Sequence, residues 1–252
     1  MLLRYFGTDG IRGTYGEPPM QPAILRKLGY SIARYFGAQR LGGKLKVVAA
    51  RDTRTSGPAI LSALSEDLLA RGHRVLDMGV MPTPAVPAAI HEWGADLGLM
   101  ITASHNPPED NGVKIFDKNG LKLEPAVEAE IEAGMERERA GSAAPFAPPD
   151  VIGGIATEGF ELYCHSRASI LPARALAGWV IAVDAGYGAT GRTSPEVFQR
   201  LGATVHSRAT EPDGARINLD CGSEHPAALA ELVIQTGARL AKLLVQSFAV
   251  AA

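Results

Sequence analysis

Ser104 lies in Thr102-Ala103-Ser104-His105-Asn106-Pro107, directly after the apolar run Leu97–Ile101. A serine hydroxyl is a weak nucleophile until a neighbouring base or cation activates it. His105 adjoins it and can give or take a proton. Lys114 follows a turn containing Asn111 and Gly112 and could return to the same mouth as a cation. That trio suits acyl or phosphoryl transfer. The Gly-x-Ser-x-Gly elbow of serine hydrolases is absent, which weighs against acyl transfer. Taken alone, the segment also reads as a polar turn whose Ser and Asn satisfy backbone groups.

Two further clusters carry cations. In Arg4–Gly13 (RYFGTDGIRG), glycines flank Asp9 and Arg12, so the loop could aim Arg12 and backbone N–H groups at a phosphate. In Ala50–Gly57 (ARDTRTSG), Arg51 and Arg54 follow an apolar strand and could bind anions at the same sheet edge. The plainer readings are a glycine-rich surface turn and salt bridges from the arginines to Asp52 or Glu66.

The elements that must position these residues alternate. Helical spacing runs through Gln21–Ala38, Ser56–Arg71, Pro84–Trp93 and Pro125–Ala140, and again through Thr157–Ser169, Thr193–Leu201 and Pro226–Gly237. Between them lie short apolar strands at Lys46–Ala50, Arg74–Met78, Asp96–Thr102, Trp179–Asp184 and Ala203–His206. Asn119-Gly120 predicts a hairpin joining Val113–Phe116 to Leu121–Leu123. This alternation predicts layered α/β domains with largely parallel sheets, whose ligands bind at the carboxyl ends of the strands. The Pro- and Gly-rich stretch Gly141–Pro149 marks the expected boundary between two domains.

The formal net charge of −2 offers no electrostatic case for nucleic acid or an anionic membrane as partner. The two cysteines, Cys164 and Cys221, have no metal-ligand spacing, and a reduced, cytoplasmic protein is expected. No long apolar run suggests a signal peptide or a membrane span.

Together the clusters resemble one family. FGTDGIRG, RDTRTSG, MPTPAV (Met81–Val86) and TASHNP followed by NGVK occur in the order seen in the α-D-phosphohexomutases. VDAGYGATG (Val183–Gly191) and PDGARINLDCGSEHP (Pro212–Pro226) are similar to the second domain of that family. The opening motif looks like the branch acting on glucosamine phosphate rather than mannose phosphate. The resemblance covers about residues 3 to 238. It implies the first two of four domains, with mixed, largely parallel sheets, at residues 1–145 and 146–238. It also implies that Ser104 carries a phosphoryl group, passing it to glucosamine 6-phosphate and recovering the other phosphate to leave glucosamine 1-phosphate. By the same matching, Arg12 touches the phosphoryl group, and His105 and Lys114 transfer protons or stabilise charge. Arg51, Arg54 and Asn106 are then phosphate contacts, and Mg²⁺ binds through the phosphate on Ser104.

One departure stands out. The family draws its Mg²⁺ ligands from an Asp-Gly-Asp-Gly-Asp-Arg-like loop, and this chain has no Asp-x-Asp. No Asp or Glu follows Glu231, and from about Arg239 the resemblance stops. Residues 239–252 are therefore expected to be a divergent tail from truncation or a frameshift, and the chain by itself to turn over poorly. A silent phosphosugar-binding fragment is the alternative. Glu128, Glu130 and Glu132 are expected on a solvated helix face.

Overall fold

The computed structural model describes residues 3–40, 43–137 and 152–243. The elements in order are β1 (Ile11–Thr14), α1 (Pro22–Gln39), β2 (Lys46–Arg51), α2 (Gly57–Ala70), β3 (Arg74–Val80), α3 (Ala85–Trp93), β4 (Leu97–Ile101), β5 (Asp110–Asp117) and α4 (Pro125–Arg137). They continue with β6 (Ile152–Gly154), α5 (Ala156–Ala168), β7 (Val180–Asp184), α6 (Thr193–Arg200), β8 (Thr204–Arg208), α7 (Ala227–Thr236) and β9 (Leu240–Leu243).

The first sheet has the order β1-β5-β4-β2-β3-β6. Its β4-β2-β3-β6 part is parallel, and β5 runs antiparallel to both β4 and β1. Side chains alternate across a strand, so each face gathers its own core. Val47, Ala49, Leu97, Leu99, Ile101, Val113 and Ile115 bury against residues of α1, α2 and α4. Val48, Ala50, Met100 and Phe116 bury on the opposite face with residues of α3, and partly buried side chains of α5 pack against them. The result is an α/β/α sandwich, as the alternation predicts. The second sheet is smaller and wholly parallel, in the order β8-β7-β9.

Four expectations differ from this arrangement. The turn at Asn119-Gly120 forms, with Gly120 at φ 71°, yet its second arm contributes only an isolated bridge, Phe116 to Lys122. The ladder partners of β5 are β4 and β1, which occupy both of its edges. Second, β6 extends the first sheet, and α5 packs on α3 and β3 as well as on α6, so residues expected in the second domain also join the first unit. The expected linker at Gly141–Pro149 lies outside the described residues. Third, the Arg239 N–H donates to the Val180 carbonyl at 2.9 Å, and Leu240–Leu243 pairs with β7 instead of trailing away. β7 is buried and has an edge to fill, and an apolar segment can fill it. Residues 244–252 lie outside the described residues.

The fourth concerns the acidic helix. Glu130 is exposed, but Glu128 is buried and pairs with Lys122 at 3.0 Å. Glu132 is also buried, and accepts the backbone N–H groups of Arg4, Tyr5 (2.9 Å) and Phe6 (3.2 Å). One carboxylate thus satisfies three amides that enter the sheet without a strand partner. It anchors the segment that delivers Arg12.

Candidate active site

β2 and β4 run side by side, with Arg51 opposite Ile101, and release their chains at one edge of the sheet. β1 lies two strands away in the same sense, placing Arg12 opposite Gly112. Thr102 donates its N–H to the Gly112 carbonyl at 3.0 Å. The three clusters of the sequence therefore converge. Gly10 permits the closest approach, because at its φ of 91° a Cβ would lie 2.3 Å from the Val113 carbonyl oxygen.

Ser104 tops the turn between β4 and β5. Its φ is 60°, a left-handed conformation that costs a non-glycine residue about 1–2 kcal/mol. The surroundings hold it there. The Ser104 N–H donates to Thr102 Oγ1 at 3.0 Å, and that hydroxyl donates to Asp52 Oδ2 at 2.6 Å. Burial pushes the Asp52 carboxyl up, while the Arg54 charge and the hydrogen bonds it accepts pull it down.

Arg54 is fully buried and grips the turn from beneath. Its Nε donates to Asp52 Oδ2 at 3.0 Å. Its Nη1 donates to the carbonyls of Pro107 and Asp110, and its Nη2 to those of Ser104 (3.1 Å) and Asn106 (2.8 Å). A guanidinium has five N–H donors, and all are spent. Arg54 is therefore committed to the turn, where the sequence expectation made it a phosphate contact. Arg51 is also committed, with Nη1 at 2.7 Å from both carboxylate oxygens of Asp77. The salt-bridge reading of these arginines holds, with Asp77 in the place expected of Glu66. Glu66 instead pairs with Arg26.

The cationic side of the site is built around Asp9. Its Oδ2 meets Lys114 Nζ at 2.8 Å and also Arg12 Nη2. Burial pushes the Lys114 ammonium below its usual range, and Asp9 opposes the shift. Arg12 Nε is buried and has no hydrogen-bond partner. A buried donor left unmade costs about 1–3 kcal/mol, so an anion arriving there would recover it. His105 is exposed beside Ser104. Asn106 uses its Nδ2 on Asp110 Oδ2 at 2.9 Å, and Asp110 Oδ1 accepts from Thr14 at 3.0 Å.

Mg²⁺ demands a compact set of oxygen ligands. Among the described residues no group of three or more His, Cys, Asp or Glu could hold a metal ion. The carboxylates nearest Ser104 are each engaged: Asp9 with Lys114 and Arg12, Asp52 with Arg54 and Thr102, Asp110 with Thr14 and Asn106. These residues do not fit a Mg²⁺ site. Both cysteines are buried and free, with thiols pushed up by burial to about 11, so neither is poised as a nucleophile.

Sequence reasoning missed three participants: Asp9 as the junction of the cations, Thr102 as the relay between Asp52 and Ser104, and Asn218. Asn218 comes from the loop between β8 and α7. Its Nδ2 donates to the carbonyls of Ser104 (3.0 Å) and Asn106 (3.2 Å). Its φ of 62° suits an asparagine, which was the one local signal available.

Residues 3–142 match the family described as phosphoglucomutase/phosphomannomutase, alpha/beta/alpha domain I. The phosphoglucosamine mutase of Chromohalobacter salexigens is 42% identical over 245 residues, covering 95% of this chain and 53% of that protein. The phosphoglucosamine mutase of Deinococcus radiodurans is 41% identical over 236 residues, covering 93% of this chain and 51% of its own length. A phosphoglucomutase/phosphomannomutase family protein of Burkholderia thailandensis shares the fold with a TM-score of 0.73 and 27% identity, over 96% of this chain and 52% of that one. The chain spans about half the length of the curated relatives it matches.

Proposed function

The chain belongs to the phosphoglucomutase/phosphomannomutase family, and from that premise we propose that Ser104 accepts and returns a phosphoryl group in a hexose-phosphate mutase reaction. The relatives named above support glucosamine 6-phosphate and glucosamine 1-phosphate as the sugar pair. The observation that carries the reading is the turn itself: a serine held at positive φ and clamped by Arg54, at the sheet edge where Arg12, with its buried and unpartnered Nε, pairs with Gly112.

In the forward step a sugar hydroxyl oxygen attacks the phosphorus on Ser104. The new sugar O–P bond forms as the Ser104 Oγ–P bond breaks. The hydroxyl proton leaves to a base, for which exposed His105 is the candidate, and Ser104 Oγ takes a proton back. Arg12 and Lys114 offset charge on the transferring group, since a phosphoserine carries about −1.5 to −2. The depressed pKa of Lys114 also lets it release a proton more readily than an ordinary lysine.

The test is mass spectrometry of the chain after incubation with glucosamine 1,6-bisphosphate. Gain of one phosphoryl group, mapped to Ser104 and lost in Ser104→Ala, is the expected result. An unmodified wild-type chain, or label elsewhere, overturns the reading.

A further inference from the structure

Among the described residues, the second unit meets the Ser104 turn and the neighbouring loop after β2. Asn218 donates to two carbonyls of that turn. Thr53 Oγ1 donates to the Tyr187 carbonyl at 2.8 Å. Gly214 lies so close that a Cβ there would sit 2.1 Å from the Thr53 carbonyl oxygen and 2.9 Å from Arg54 Cα. The first touches the backbone of Ser104 itself.

We infer that Asn218 is a positioning residue for phosphoryl transfer, holding the Ser104 turn from the side opposite its own sheet. This rests on the phosphoserine reading above. The carbonyls of Ser104 and Asn106 each accept twice, once from Arg54 and once from Asn218. A carbonyl oxygen has two lone pairs, so both are saturated and the Ser104–His105 and Asn106–Pro107 peptide planes are set. The four donors also offset the partial negative charge of those oxygens beside a serine that is to carry nearly two negative charges. Asn218 is fixed in turn by its positive φ and by its own N–H, which donates to the Gly186 carbonyl at 3.0 Å. Because both acceptors are carbonyls, only the amide nitrogen can face them, and aspartate cannot replace it. Arg54 alone leaves each peptide plane one tether. Attack geometry is sensitive at this scale, since a misplacement of about 1 Å costs about 100-fold in rate.

The experiment compares wild type, Asn218→Gly and Asn218→Asp. Glycine keeps the positive φ and removes the donors, whereas aspartate keeps the shape and turns an acceptor on the carbonyls. Two quantities are read: the initial rate of Ser104 phosphorylation by glucosamine 1,6-bisphosphate, with Ser104→Ala as blank, and amide hydrogen exchange across residues 102–107. Expected are uptake slowed by about 10- to 100-fold, faster exchange confined to that turn, and a larger effect for aspartate. Exchange in α2 and the thermal midpoint of Asn218→Gly should stay close to wild type, which a merely structural role would not allow. Unchanged uptake in both variants overturns the inference even if exchange rises. If wild type itself takes up no phosphoryl group, the mutase reading has failed separately. Turn exchange then still decides whether Asn218 holds Ser104, and unchanged exchange overturns it.

Discussion

At the scale of single residues, exposure separates two arginines that look alike in Ala50–Gly57. Arg54 and Asp52 are both 0% exposed in their side chains, whereas Arg51 and Asp77 keep 20% and 17%. Removing one partner of a buried pair strands the other charge in a poor solvent. Arg54→Met should therefore cost about 3–5 kcal/mol. Arg51→Met should cost about 1 kcal/mol or less, because water reaches that pair. Urea midpoints of the two variants check the contrast; equal losses would refute it. Lysine at position 54 would not rescue, since it lacks the planar fork that meets four carbonyls and a carboxylate. Both arginines lie in the same short polar run, so only burial tells how each is engaged.

At the scale of elements, two polar side chains tie segments that hydrogen-bonded ladders leave loose. Glu132 on α4 gathers the amides of Arg4, Tyr5 and Phe6. Glu132→Ala orphans them, and a loss of about 1–3 kcal/mol is expected. Faster proteolysis ahead of β1 should accompany it, with α2 still protected. His73, at the turn from α2 into β3, accepts the Leu45 N–H on Nδ1 at 3.2 Å. Accepting there requires the neutral ring. Burial, with Lys44 and Arg71 nearby, pulls its pKa below the ordinary 6.5. In the window from 6.5 down to the lowered folded value, the unfolded chain binds more protons than the folded one. Stability is then full above 6.5 and falls as the pH drops through that window. Urea midpoints across this range should show the slope, and His73→Asn should flatten it. The helix spacing that located α4 and α2 is silent on both ties, because each joins residues far apart in the chain.

At the scale of the whole molecule, a loop of the second unit meets the first where Gly214 presses on Thr53. Gly214→Ala places a methyl group into backbone that cannot yield, so the second unit must back away. Hydrogen exchange at Thr53–Ser56 and at the Ser104 turn should rise together, while the cores on either side of the first sheet stay protected. Protection retained at both sites would show that the contact is dispensable. What the sequence determined by itself was what local chemistry determines. Helical spacing marked every α-helix among the described residues, and apolar runs with the Asn119-Gly120 turn marked six of the strands. The phosphoryl-transfer reading proposed for Ser104 came from the resemblance of the short motifs that hold it, Arg12 and Lys114, since spacing alone left a plain polar turn equally open. Only the tertiary structure decided the rest. β1, β6 and β9 are short strands whose existence depends on a waiting edge. The fates of Arg51, Arg54, Glu128 and Glu132 depend on burial, which is a property of packing. Asn218 lies 114 positions from Ser104, so its meeting with the turn is set by how two sheets dock and by no pattern along the chain.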